Sequence, residues 1–171
     1  MTALPDAEQL LTTLTAQLQA EVTPTTGLIG IRTGGVWVAE RLHAALKLAV
    51  PPGVLDISFY RDDFGAQGLK HAVQPSTIPF AIEERDLILV DDVLYTGRTA
   101  RAALDALFDH GRPRRIQLCV LIDRGHRELP IEATFVGRTI QTTANEIIEV
   151  RLQESDGADK VLLLELAPEE P

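Results

Sequence analysis

A chain of 171 residues with 45% apolar and 24% charged side chains has the balance of one globular domain with a proper core. Its net charge of −9, from 16 basic and 25 acidic residues, argues against strong non-specific nucleic-acid binding, which needs a basic face. No stretch approaches the roughly 20 apolar residues of a membrane span, the start lacks a signal-peptide layout, and a single cysteine allows no intrachain disulfide, so a cytoplasmic protein with no membrane partner is expected.

Residues 1–24 hold an N-terminal helix, Asp6 to Ala20, with Asp6 as cap and Leu10, Leu11, Leu14 and Leu18 at helical spacing. GLIGI, 27–31, reads as a strand. A helix is expected from Val36 to about Leu48, with Trp37, Leu42, Ala45 and Leu46 on its inner face. VLDISFY, 54–60, reads as a strand. Residues 61–77 are polar, contain glycine and have no period, so they are expected to form a mobile active-site loop. LILV, 87–90, reads as a buried parallel strand, and Thr96 to His110 as a helix with Ala103, Leu104, Leu107 and Phe108 on one side. Strands are expected at 115–122, around Cys119 as a core thiol, and at 133–137. EIIEVRLQE and KVLLLEL flank Ser155-Asp156-Gly157, a hairpin signal, and the tail 167–171 is expected to fray. Alternating strands and helices imply an α/β fold with a mostly parallel central sheet flanked by helices, a small hood at 123–145 and a C-terminal β-hairpin, in one domain spanning 1–171.

In such a sheet ligands bind beyond the carboxyl ends of the strands. Asp91 and Asp92 stand at that edge, directly after LILV. Val93 and Leu94 lead into Tyr95-Thr96-Gly97-Arg98-Thr99, which offers hydroxyls, backbone N–H groups and a glycine at a helix start. That combination suits a phosphate monoester. Carboxylates beside a phosphate cradle make sense if they accept hydrogen bonds from ribose hydroxyls or help hold Mg²⁺ through water. The competing reading is that the two acids simply cap the next helix.

LILVDDVLYTGRT resembles the phosphoribosyl pyrophosphate (PRPP) motif of type I phosphoribosyltransferases. Together with SFYRDDF and IDRGHRELPI it resembles the PyrR family of pyrimidine-operon regulators, which also have uracil phosphoribosyltransferase activity. The resemblance implies a type I phosphoribosyltransferase fold and the reaction of uracil with PRPP to UMP and pyrophosphate, with Mg²⁺ as cofactor. Asp91 and Asp92 would hold the ribose and, through water, the metal; Val93 to Thr99 would complete the ribose and 5-phosphate site. Arg32, Thr33, Gly34 and Gly35, with Arg61, would meet the pyrophosphate, and Asp62 and Asp63 would organise the metal. Asp91, Asp92 and Arg61 would be the catalytic set. Asp123, Arg124 and Gly125 would form the uracil-binding hood, and Arg124→Ala is expected to lower uracil turnover with little loss of stability.

Two departures stand out. The family commonly has a basic residue where this chain has Gly34, which puts pyrophosphate binding in doubt. Many purine-using relatives carry an acid where this chain has Tyr95, which disfavours a purine. PyrR proteins also bind leader RNA under UMP or UTP control through a basic surface that includes the N-terminal helix. Here no Lys, Arg or His precedes Arg32, which leaves His126, Arg127, Arg138 and Arg151 as candidate RNA contacts. The alternatives are an RNA-binding attenuator or nucleotide sensor with vestigial catalysis, and transfer to hypoxanthine or orotate. The family's habit implies a homo-oligomer, a dimer or larger.

Overall fold

A computed structural model describes residues 4–60 and 76–167. Residues 61–75 of the expected loop 61–77, with Arg61, Asp62 and Asp63, and the tail from 168 lie outside the described residues, while Thr77 pairs with Val54. Five strands form one parallel sheet: β1 (Gly27–Ile31), β2 (Gly53–Leu55), β3 (Asp86–Leu94), β4 (Arg115–Asp123) and β5 (Phe135–Thr139), in the order β2-β1-β3-β4-β5. An antiparallel hairpin, β6 (Glu146–Arg151) and β7 (Lys160–Glu165), stands apart, paired from Glu146↔Glu165 to Arg151↔Lys160.

Both faces of the parallel sheet are buried, and alternation along each strand sorts the side chains. Leu28, Ile88, Val90, Cys119 and Leu121 pack under α1 (Ala7–Gln19) and α2 (Gly34–Leu46). Ile29, Ile31, Leu87, Leu89, Leu118 and Val120 pack under α3 (Arg98–Phe108). Leu10, Leu14 and Leu18 of α1 are buried in this chain's own core. Truncating Leu14 to alanine would therefore cost about 2–5 kcal/mol.

The strand expected at 54–60 is cut short. Asp56 accepts hydrogen bonds from the Ser58 N–H at 2.8 Å and the Ser58 hydroxyl at 2.6 Å. That local bonding turns the backbone out of the ladder, and Ser58–Tyr60 forms a single 3₁₀ turn. Phe108 and Ala45, placed inward by periodicity, are exposed. Phe108 falls at the last turn of α3, where the helix has passed the core, and Ala45 lies on the outer side of α2. The segment between β6 and β7 holds a one-turn helix, α4 (Gln153–Asp156), closed by Gly157. Arg41 of α2 grips that turn through Glu154 and Asp159, at 2.6 and 2.8 Å.

Candidate active site

The chain leaves β1 in one direction along the sheet to β2, and β3, β4 and β5 extend in the other. The switch between β1 and β3 opens a crevice at their carboxyl ends. Arg32 to Gly35 leave β1 there, and Asp91 to Thr99 occupy the end of β3, the loop after it and the start of α3. Topology thus brings together two segments that lie some sixty positions apart in sequence.

Strand β3 is longer than the apolar run suggested, so Asp91 and Asp92 lie within it, with Asp91 opposite Val120. The Asp92 N–H donates to Asp91 Oδ1 at 2.9 Å, and the Val93 N–H to Asp92 Oδ1 at 2.8 Å. The acids therefore do not cap the next helix, which begins at Arg98 on Gly97. Gly97 adopts φ +92°, and a β-carbon there would sit 3.0 Å from Ile131 Cβ. A glycine suits both the left-handed backbone and the tight fit. As the cap residue it offers α3 no side chain; the Thr96 hydroxyl accepts the Arg98 N–H at 3.2 Å, and the first turn carries no acid.

Around this helix start lies a cavity of about 300 Å³ lined by Asp91, Tyr95, Thr96, Gly97, Arg98 and Thr99 among others. The pyrophosphate-loop candidates press against the carboxyl half of β3. A β-carbon on Gly34 would collide with the Asp92 carboxylate, and one on Gly35 with the Val90 carbonyl. The absence of a side chain at 34 thus lets this loop sit directly on Asp92. The Arg32–Thr33 peptide is cis.

The segment expected to form the hood is laced to the loop after β3. Arg127 donates to the Tyr95 carbonyl at 2.9 Å, the Ile131 carbonyl at 2.8 Å and Asp123 Oδ2 at 2.6 Å. The Glu128 N–H donates to the Thr96 carbonyl at 2.9 Å, and Arg98 pairs with Glu128 at 2.9 Å. Burial pushes the Asp123 carboxyl up, but the Arg127 guanidinium and the Gly125 N–H together hold it below the usual range.

Arg124 is buried. Its Nε donates to Thr142 Oγ1 at 3.2 Å, its Nη2 to the Glu146 carbonyl, and its guanidinium lies 3.9 Å from the Tyr95 ring centre. A side chain so enclosed contributes to packing, so its loss with little effect on stability is no longer expected. Sequence reasoning missed this bond from hood to hairpin, because Thr142 and Glu146 come close only in the fold. Of the candidate RNA contacts, Arg127 is engaged within the hood and His126 Nε2 bonds the Thr142 carbonyl at 2.7 Å. Arg138 is exposed at the end of β5, and Arg151 pairs with Glu149 at 3.1 Å. Among the described residues no cluster of three His, Cys, Asp or Glu side chains could hold a metal by itself, and no helix is long and apolar enough to cross a membrane.

A parallel sheet with two acids, a glycine-containing loop and a helix start at its switch point indicates a class, and comparison with known proteins shows the same fold. Residues 1–155 match the model of the phosphoribosyl transferase domain. The chain resembles the hypoxanthine-guanine phosphoribosyltransferase of Bacillus anthracis in fold, with a TM-score of 0.67 over 97% of this chain and 100% of that one at 21% identity. The hypoxanthine phosphoribosyltransferase of Trypanosoma cruzi gives 0.68 over 98% of each chain at 17% identity. In sequence it is 50% identical, over 82% of its length and 77% of the relative's, to a protein of Syntrophobacter fumaroxidans named Bifunctional protein PyrR. Proteins of the same name from Thermus aquaticus and a Roseiflexus species are 54% and 59% identical, over 81% and 76% of this chain and 78% and 73% of theirs. The chain belongs to the type I phosphoribosyltransferase family, within its PyrR group.

Proposed function

We propose that this protein transfers ribose 5-phosphate from PRPP to uracil, giving UMP and pyrophosphate. The observation that carries the PRPP half is the start of α3, with a glycine at its cap and no acid in its first turn, beside Asp91 and Asp92 and around a cavity of about 300 Å³. The 5-phosphate would take the N–H groups and hydroxyls of Tyr95 to Thr99, and the ribose hydroxyls would donate to Asp91 and Asp92. Arg32 to Gly35, with Arg61, would meet the pyrophosphate. Uracil would lie against the hood at Asp123 to Gly125, and kinship with the PyrR proteins supports that choice of base.

Mg²⁺ fits this donor set. Two half-buried carboxylates, with no cluster of three acidic, His or Cys side chains among the described residues, suit an ion held chiefly by substrate phosphate oxygens and reached through water. When bound it would neutralise charge on the departing pyrophosphate. The protein's own residues align N1 of uracil with the anomeric carbon and keep water from it. A regulatory role fits the word bifunctional in the relatives' name, with UMP or UTP as effector and RNA as partner. The exposed Arg138 and Arg151 are the side chains that would serve it, and α1 has no basic residue to add.

The test is UMP formation from uracil, PRPP and Mg²⁺, beside hypoxanthine and orotate. Uracil-specific, Mg²⁺-dependent turnover is expected. Absence of turnover with every base would point to nucleotide sensing as the surviving function, and filter binding of leader RNA with and without UMP would then be measured.

A further inference from the structure

Arg124 is a buried cation whose partners are all uncharged. Its side chain is enclosed to 4% exposure and meets the Thr142 hydroxyl, the Glu146 carbonyl and the Tyr95 ring, with no carboxylate in an ion pair among the described residues. A guanidinium cannot shed its proton, and burying its charge without a counter-charge is costly. A neutral side chain of similar length would lock hood to hairpin at lower cost, so the charge itself needs a reason. Its position offers one. Tyr95 lines the cavity, is 40% exposed, and separates the guanidinium from that space.

Transfer to uracil requires N1 without its proton, and the neighbouring groups leave no obvious base to take it. Asp123 is committed to Arg127 and the Gly125 N–H, and Glu128 to Arg98. The Glu146 carboxylate accepts from the Thr143 N–H, and the His126 ring is held on the Thr142 carbonyl. Asp91 and Asp92 turn onto their own backbone.

We propose that Arg124 activates the nucleobase electrostatically, by stabilising uracil as its N1 anion in the site; the inference rests on the uracil-transfer reading. Uracil gives its N1 proton to solvent. The electron pair left on N1 forms the bond to the anomeric carbon, and the bond from that carbon to pyrophosphate breaks with its pair on the leaving oxygen. A base stacked on the open side of Tyr95 would lie about 7 Å from the guanidinium. At that range, with an effective dielectric near 20, the attraction lowers the N1 pKa by roughly one to two units.

The experiment is the pH dependence of kcat/KM for uracil and for 5-fluorouracil, whose N1 is more acidic, in wild type, Arg124→Gln and Arg124→Lys. At neutral pH Arg124→Gln should lose about thirtyfold with uracil. The deficit should shrink as pH rises past the N1 pKa of free uracil, be smaller with 5-fluorouracil, and be largely recovered by Arg124→Lys. A purely structural arginine predicts an equal loss at every pH and with both bases, and that result would overturn the inference. The His126 imidazole lies edge-on to the Tyr95 ring, so the wild-type profile must persist in His126→Gln; its disappearance in that variant would sink the proposal. If circular dichroism shows that Arg124→Gln does not fold, the wild type decides. Its kcat/KM should stay level to at least about one unit below the pKa of free uracil, and a decline starting at that pKa overturns the idea. Absence of wild-type turnover with uracil, alongside turnover with another base, overturns the underlying reading instead and the inference with it.

Discussion

Helices α1 and α3 begin in opposite ways. Helix α1 starts on Asp6, whose carboxylate accepts the Glu8 N–H at 2.9 Å, and has Glu8 in its first turn. Helix α3 starts on Gly97, has only the neutral Thr96 hydroxyl on its Arg98 N–H, and carries no acid in its first turn. Helix α2, the other helix that begins at the site, lacks a capping bond and likewise a first-turn acid. Every helix start leaves backbone N–H groups without partners and a partial positive charge. The first helix satisfies one of them with Asp6, sets Glu8 against the charge, and is part of the scaffold. The two at the crevice carry no acid there, and under the proposed function their partial positive charge would face the substrate's anionic groups. The amino edge of the sheet repeats the scaffold pattern, since Asp86 there is paired with Arg114 and Arg115.

The most disruptive way to erase this contrast is to give α3 an acid of its own. Thr99→Glu should lower kcat/KM for PRPP on the order of a thousandfold, because like charges meet in a desolvated site. Helix stability should hold or rise slightly, as thermal unfolding would show. Asp92→Asn should reduce kcat/KM for PRPP about a hundredfold by weakening hydrogen bonds to a charged acceptor, with the melting temperature nearly unchanged. Wild-type PRPP kinetics in that variant would remove Asp92 from the ribose site. Gly97→Ala forces a side chain into φ +92° beside Ile131, and should cost about 1–2 kcal/mol in urea unfolding while raising KM for PRPP about tenfold. Asp6→Ala should cost about 1 kcal/mol and leave KM for PRPP unchanged, which sharpens the contrast from the scaffold side.

The smallest expected effect lies in the response to pH. The hydrogen bond from Arg114, with attraction from Arg114 and Arg115, outweighs burial and holds the Asp86 carboxyl below its ordinary value. A carboxyl depressed in the folded state stabilises above its unfolded pKa, and that contribution disappears as pH falls through the folded one. Acid titration of stability should therefore show a shallower acid limb in Asp86→Asn, with no change in PRPP kinetics at neutral pH.

Much of this was legible along the chain. The strand–acid–acid–loop–helix order around Asp91 is local, and local patterns of hydrophobicity and turn residues survive in the fold. So did the leucines of α1, because helical spacing and burial agree there. The 54–60 strand was misread because Asp56 and Ser58 form a local turn that alternation does not register. Phe108 was misread because periodicity does not say where a helix runs past its core.

The sequence by itself determined the fold class and the strand–acid–acid–loop–helix order around Asp91, since each is a matter of periodicity and of neighbours within a dozen positions. Only the tertiary structure decided that Gly34 rests on Asp92, that the hood is tied to the phosphate loop by Arg127, and that Arg124 lies buried against Tyr95. Those contacts join segments brought together by the crossover of β1 and β3 and by the docking of the hairpin. Their energies depend on burial and on which dipoles surround a charge, and neither exists until the chain has closed on itself.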